Sequence, residues 1–272
     1  MKVTCIVKIQ TYNIVSKNQS SLVISNHASS LVDFMRDKIY KKNSDISSFV
    51  FDQKVVEVFD DMVIRSVPGY IQMIELIGFI ARIFPVENSN IYDLGCSTGA
   101  ATTAVASNIK KKSIKIFSVD NSEEMVRFCK KNLVFPDVKV QFINADVNEL
   151  EIKKASMVIL NLTLQFIKPA MRDNLIKRIY NALIPGGILI ISEKVIDEDK
   201  NNHHILESLH ESFKIENGYS ATEISRKRKA IENVLIPDSI ERHFQRLKKA
   251  GFVNPLNILK VINFSTFIAI KD

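Results

Sequence analysis

Tyr92-Asp-Leu-Gly-Cys-Ser-Thr-Gly99 joins an apolar run, Ile91 to Leu94, to an alanine-rich segment that reads as a helix from Ala100 to Ile109. A buried strand, a turn with glycines at its first and last positions, and a helix follow one another without a gap. The two glycines let the backbone turn sharply and approach a ligand closely. The helix start presents unpaired N–H groups toward the same place. The Gly-x-x-x-Gly spacing differs from the Gly-x-Gly-x-x-Gly fingerprint of dinucleotide sites.

Outward from this turn the same alternation repeats. Ile114 to Val119, Val138 to Ile143, Met157 to Leu160 and Ile188 to Ile191 read as further strands. Between them lie helices, one capped by Ser122 and one running from about Pro169 to Leu183, after which Pro185-Gly-Gly187 is expected to turn the chain. Apolar strands alternating with helices imply a mostly parallel sheet covered on both faces. A helix from Ser239 to Ala250, ended by Gly251, leads to a hairpin-like pair, Ile258 to Asn263 and Ser265 to Ile270, expected at an antiparallel edge. On the amino side, Val55, Val58, Phe59, Met62 and Val63 share one helical face, and Pro68 opens a second helix reaching about Phe84.

The strand ends carry the chemistry. Asp120 ends the second strand, where a carboxylate accepts from two ribose hydroxyls; Asp146, in Asn144-Ala-Asp-Val147, ends the third; Asn161 ends the fourth. Ligands of open α/β sheets bind at this edge. The loop resembles the first motif of S-adenosylmethionine-dependent methyltransferases, and the acidic positions fit a nucleoside-type cofactor. Other reactive residues are weaker candidates. Cys96 has no histidine near it and reads as a small loop residue; His203 and His204 are adjacent, so a helix points them apart; Met and Phe positions read as core. Arg226-Lys-Arg-Lys229 reads as a solvated run from which one guanidinium can turn inward.

Composition excludes little else. The 272 residues are 46% hydrophobic and 25% charged, with a net charge of +7 that fits either an RNA partner or small anionic ligands. No apolar stretch reaches the roughly 20 residues of a membrane span; Ile71 to Phe84 is interrupted by Gln72, Glu75 and Arg82 and reads as a core helix. Three scattered cysteines, Cys5, Cys96 and Cys129, give neither a disulfide framework nor a zinc pattern. With Lys8 interrupting Val3 to Val7, they point to the cytoplasm. Residues 1–50 form a poorly defined extension, with functional sequence starting near Met35, and residues 51–272 form the cofactor domain. Within it, about 197–235 is a charged helical insertion, with Leu206, Leu209 and Phe213 on one stripe, suited to a lid or an interface.

Longer strings carry a more specific resemblance. Val55-Val-Glu-Val-Phe-Asp-Asp-Met62, Arg65-Ser-Val-Pro-Gly-Tyr70, the loop at 92–102 and Ala155 to Phe166 resemble the carboxy-S-adenosyl-L-methionine synthase family. So do Ser192-Glu-Lys194, Asn217-Gly-Tyr219, Glu223-Ile-Ser-Arg-Lys-Arg228 and Glu232-Asn-Val234, from about Phe51 to Lys271 overall. The resemblance implies a Rossmann-like class I methyltransferase fold with a seven-stranded sheet. It implies that S-adenosyl-L-methionine and prephenate, with water as cosubstrate, become carboxy-S-adenosyl-L-methionine and phenylpyruvate. The product would then serve wobble uridine (cmo5U) modification of tRNA by a separate enzyme. The chemistry implied is deprotonation of the sulfonium methyl to a ylide and capture of carbon dioxide, in a site that excludes water.

The resemblance further implies cofactor contacts at Tyr70, Gly95, Cys96, Ser97, Asp120, Asn121, Asp146, Val147, Asn161 and Arg228, with Tyr70 and Arg228 also catalytic. Arg228 would grip the new carboxylate. A homodimer is expected, with no metal, no membrane and no stable nucleic-acid binding. On the residues alone two rivals stay open: a conventional methyltransferase acting on a small molecule or tRNA, and a non-catalytic RNA-binding module using the basic helices.

Overall fold

The computed structural model describes residues 36–41, 49–111 and 113–272. The readings of Val3 to Val7, of a start near Met35 and of the early loops lie outside these residues. The chain divides into two units, Met1–Asp37 and Lys38–Asp272. Of the first only Arg36 and Asp37 are described; the account below concerns the second.

Two helices, α1 (Gln53–Ser66) and α2 (Tyr70–Ala81), precede β1 (Asn90–Leu94), α3 (Ala100–Ala106), β2 (Lys115–Asp120), α4 (Glu123–Asn132), β3 (Lys139–Asn144) and β4 (Ala155–Asn161). Then come α5 (Pro169–Ala182), β5 (Leu183–Ile196), α6 (Lys200–Glu216), α7 (Ala221–Ile231), β6 (Asp238–Ser239), α8 (Ile240–Ala250), β7 (Leu256–Val261) and β8 (Phe264–Ile270). The main sheet runs β3-β2-β1-β4-β5-β8-β7. These are the seven expected strands; the two-residue β6 joins beside β5 as an eighth. Pairing is parallel from β3 to β5 and antiparallel for β5–β8 and β8–β7.

Central strands are apolar at successive positions because both faces are covered. Residues 155–160 of β4 are all buried. On one face Leu94, Val158, Leu160, Leu175 and Ile179 pack together; on the other Ile91, Ile116, Met157, Ile159 and Ile77 do so. Helix starts follow the capping rules: Ser122 Oγ accepts from Met125 N at 3.2 Å, and Ser239 Oγ from Arg242 N at 3.2 Å. Each such cap is worth about 1 kcal/mol. Among the described residues no single helix is long and apolar enough to cross a membrane.

Four expectations change. Pro185-Gly-Gly187 is not a turn ahead of a strand but a bulge inside one. Ala155 pairs with Leu183 and Met157 with Ile188, and Gly186 N and Gly187 O bond Lys271 at 2.7 and 2.9 Å. The same strand continues past Ile191 to Ile196, because Ser192 and Glu193 keep pairing with β8 and are buried despite their polarity. The insertion is two helices: Gly218, at φ 86°, breaks it between α6 and the capping box of Ser220 and Glu223 on α7. The stripe at Leu206, Leu209 and Phe213 is not buried; Leu209 is exposed, and the residue α6 buries is His210.

Candidate active site

The strand ends, the first two helices and the insertion enclose one cavity of about 750 Å³, within the usual range for small-molecule sites. Its wall includes all ten expected site residues.

The floor is built by backbone. Gly95 and Cys96 both donate from N to Val119 O, at 2.8 and 3.0 Å. Gly95 sits at φ 79°, and a Cβ there would lie 2.4 Å from Thr163 Oγ1, so the β1 turn tolerates glycine alone. Ser97 also has positive φ, and its N–H donates to Asp120 Oδ2 at 2.9 Å while Ser122 N donates to Oδ1 at 2.9 Å. Asp120 thus ties two loops together. Burial raises its carboxyl above the usual range, and the amides of Ser122, Ser97 and Asn121 oppose that shift. Asp146 is exposed and accepts from Asn148 N and Nδ2, both at 2.8 Å; Val147 beside it is buried. Asn121 is exposed at the rim. Asn161 lines the cavity, and its Oδ1 is buried with no hydrogen-bond partner among the described residues.

The inner wall comes from α1 and α2. Thr98 donates to Asp60 at 2.7 Å, fastening the loop to α1. Beneath it, Thr102 donates to the buried Asp93 at 2.6 Å; desolvation pushes that carboxyl up to about 6, with Thr102 opposing. Tyr70 is buried, and its phenol is raised by burial and then by Asp60 and Asp93. It is a neutral hydroxyl facing the cavity. Phe49, Phe51, Phe59 and Phe166 also line the wall, with Phe51 edge-on to Phe166 at 5.4 Å. Reading phenylalanines as core by default misses this surface.

The outer wall carries cations beside the carboxylates of Glu207, Glu223 and Glu232. Lys194 at the end of β5, Lys214 on α6, and Lys227 and Arg228 on α7 all line the cavity. Lys194 pairs with Glu207 at 2.8 Å and Arg228 with Glu211 at 3.0 Å. The Arg228 side chain is 53% exposed, so it is held at the mouth by a carboxylate of the neighbouring helix rather than turned inward. Next to Lys194, Glu193 is buried and accepts from Thr163, Leu164 and Gln165 N at 3.1, 2.7 and 3.0 Å. It shapes the β4 loop. Lys214 and the buried His210, which also lines the cavity, escaped the sequence reading; their signal was helical spacing (206, 210, 214) in a segment read as a charged lid or interface.

The remaining candidates fall away from chemistry. Cys96 is buried, and its thiol is pushed up by a hydrogen bond with Cys129 and by desolvation, so no thiolate nucleophile forms there. His203 and His204 lie near the start of α6, outside the cavity wall, and no group of three or more metal-binding side chains occurs among the described residues. Arg226 donates to the carbonyls of Tyr40 and Lys41.

Comparison with known proteins agrees with this geometry. A family model described as "Methyltransferase domain" matches residues 91–187. The chain is 48% identical over 238 residues to the carboxy-S-adenosyl-L-methionine synthase of Psychromonas ingrahamii, spanning 86% of this chain and 98% of that protein. It is 49% identical over 238 residues to the protein of the same name from Vibrio atlanticus, with shares of 86% and 98%. Among solved structures, human N-acetylserotonin methyltransferase in complex with S-adenosylmethionine matches with a TM-score of 0.56 at 18% identity, over 93% of this chain and 68% of that one. A putative S-adenosyl-L-methionine-dependent methyltransferase of Methanococcus maripaludis matches with a TM-score of 0.54 at 20% identity, over 83% and 95%. At those identities the solved structures speak to the fold.

Proposed function

Because this chain belongs to the carboxy-S-adenosyl-L-methionine synthase family, we propose that it draws the new carboxyl group from prephenate, held against the cationic wall of the cavity. The enzyme uses S-adenosyl-L-methionine as substrate and forms carboxy-S-adenosyl-L-methionine. On our reading the ribose rests on Asp120, adenine near Asp146 and Val147, and the methionine end between Gly95 and Asn161. That brings the sulfonium methyl toward Tyr70. Arg228 exchanges Glu211 for the carboxylate of the product. Its present pair is exposed and so worth little to stability, which makes the exchange cheap.

The atoms balance in one way. Prephenate loses carbon dioxide and hydroxide as its ring becomes aromatic, leaving phenylpyruvate. Hydroxide takes a proton from the sulfonium methyl, and that carbon bonds to carbon dioxide. Water therefore leaves as a product, which corrects the expectation that it enters as a cosubstrate. No side-chain base is needed, and none of the floor residues has to change charge. The protein's part is to position and to exclude bulk water.

The observation that carries this reading is the placing of four cationic side chains, from three elements, opposite a nucleoside-type floor. The same reading places the enzyme in the cytoplasm, as a homodimer, supplying a tRNA-modifying partner without binding tRNA itself. Incubation with methyl-labelled S-adenosyl-L-methionine and prephenate is expected to give carboxy-S-adenosyl-L-methionine, phenylpyruvate and label retained on sulfur, seen by mass spectrometry. Label appearing on tRNA instead would replace this reading with conventional methyl transfer.

A further inference from the structure

We propose that Lys214 is the anchor for a carboxylate of the second substrate, and that with Lys194 and Lys227 it forms a dicarboxylate subsite on the outer wall. This rests on the reading of prephenate as carboxyl donor.

The three ammonium groups differ in what they already hold. Lys194 is paired with Glu207 at 2.8 Å, and Lys227 donates to Ser66 Oγ at 3.1 Å. Lys214 is partly buried in the same wall, yet its ammonium makes no hydrogen bond and no ion pair among the described residues. A desolvated cation with no partner is unfavourable unless it gives up its proton or gains an anion. Its neighbours sharpen that choice. From β5 it faces Lys194, from α7 Lys227 and Arg228, and from α6 Glu207 and His210; burial first, then Lys194 and Lys227, lowers its ammonium to about 7.

A second argument comes from the other ligand. The sulfonium of S-adenosyl-L-methionine brings a further positive charge into this cavity. With Lys194 and Arg228 already matched by Glu207 and Glu211, the added charge is balanced when a partner carries one carboxylate for Lys214 and a second that exchanges into the neighbouring pairs. A dicarboxylate meets that condition, with one carboxylate on Lys214 and the other within reach of Lys194 and Lys227.

The linkage has a definite sign. A bound carboxylate holds Lys214 protonated, whereas in the free enzyme above pH 7 most of it is neutral. Binding at pH 8 therefore takes up a proton, and dicarboxylate affinity falls as pH rises above about 7.

The test is calorimetric titration of prephenate into the full chain saturated with S-adenosylhomocysteine, at pH 8, in two buffers of different ionisation enthalpy. Wild type is expected to take up nearly one proton per prephenate. Lys214→Arg should keep affinity within a few-fold but take up none, since guanidinium is already charged. Lys214→Met should weaken prephenate by roughly 10- to 100-fold, leave S-adenosylhomocysteine binding unchanged and raise the thermal midpoint, because folding no longer has to strip a proton from a desolvated amine. A merely structural lysine would lower that midpoint. Unchanged prephenate affinity in Lys214→Met overturns the inference, as does an equal loss for both ligands, which would assign Lys214 to the cofactor's own carboxylate. If wild type itself neither binds prephenate nor forms product, the reading of the donor falls, and this inference with it.

Discussion

The floor and the outer wall of the cavity hold their charges by opposite means. On the floor, Asp120 is gripped by the amides of Ser97 and Ser122, and Asp93 behind it by the hydroxyl of Thr102. These donors are fixed by backbone or by a buried helix. On the outer wall, Lys194 and Arg228 are held by carboxylates on flexible side chains of α6. A carboxylate held by amides keeps its place whatever is bound. A cation held by a side chain can trade partners with a ligand. On the function proposed above, this gives a division of labour: the floor would recognise the part of S-adenosyl-L-methionine that never changes, and the outer wall would sense the carboxylate that the reaction adds.

That contrast is easiest to break at Gly95. Gly95→Ala places a Cβ 2.4 Å from Thr163 Oγ1 at a φ of 79°, so the loop must move. S-adenosyl-L-methionine binding is expected to drop below detection by calorimetry while the protein remains folded by circular dichroism. Near-normal affinity would show a floor less rigid than its hydrogen bonds imply. Asp120→Ala should come next, at roughly 2–4 kcal/mol of binding, because ribose loses an acceptor and two amides lose theirs. If affinity is unchanged, Asp120 is only a loop clamp.

Arg228→Ala sharpens the contrast from the other side. It should weaken carboxy-S-adenosyl-L-methionine by about 2 kcal/mol, at the low end for a charge pair because the side chain is half exposed. It should leave S-adenosyl-L-methionine within twofold, and Arg228→Lys should restore little, since an ammonium lacks the two-pronged grip. Equal losses for both ligands would return Arg228 to the solvated basic run. The smallest effect concerns His210, the residue that α6 buries. Its Nε2 lies 2.8 Å from Ser66 O, and Asn263 Nδ2 lies 3.4 Å from its Nδ1, an arrangement that suits the neutral ring. Burial, then Lys214, lowers its pKa to about 3. The unfolded chain therefore binds a proton first as pH falls below 6.5, and stability drops by roughly 1 kcal/mol by pH 5.5. Denaturant titrations of His210→Gln should show a flatter pH profile over that range; an identical slope would remove His210 as its source.

Local physics made much of this legible beforehand. The strands around the glycine turn are continuous apolar runs, Ser122 and Ser239 announce their helices by their chemistry, and Asp120, Asp146 and Asn161 fall at strand ends by position alone. Glu193 shows where such reading stops. A glutamate after an apolar run looks like the end of a strand, yet three amides from a distant loop and pairing with β8 keep it inside the sheet. Lys214 was hidden for the same reason, since only the approach of β5 and α7 gives it a wall to share. Arg228 was picked out by its motif, but its partner on α6 is a tertiary fact.

The middle of the sheet carries a kinetic consequence. β1 pairs with β4, Asp93 against Ile159, and two further strands lie between them in sequence. No hairpin zipper can assemble such a centre, so a long loop must close before the contacts that reward it form, and folding is slowed accordingly. The cofactor floor spans this very seam, with Gly95 at the tip of one strand and Asn161 at the tip of the other. A chain that has not closed the seam has no place for the nucleoside. With the site as proposed, the first substrate would double as a folding ligand: at one hundred times its Kd it would add about 2.7 kcal/mol to the closed topology, and cells short of it would be expected to hold less of the enzyme as well as feed it less.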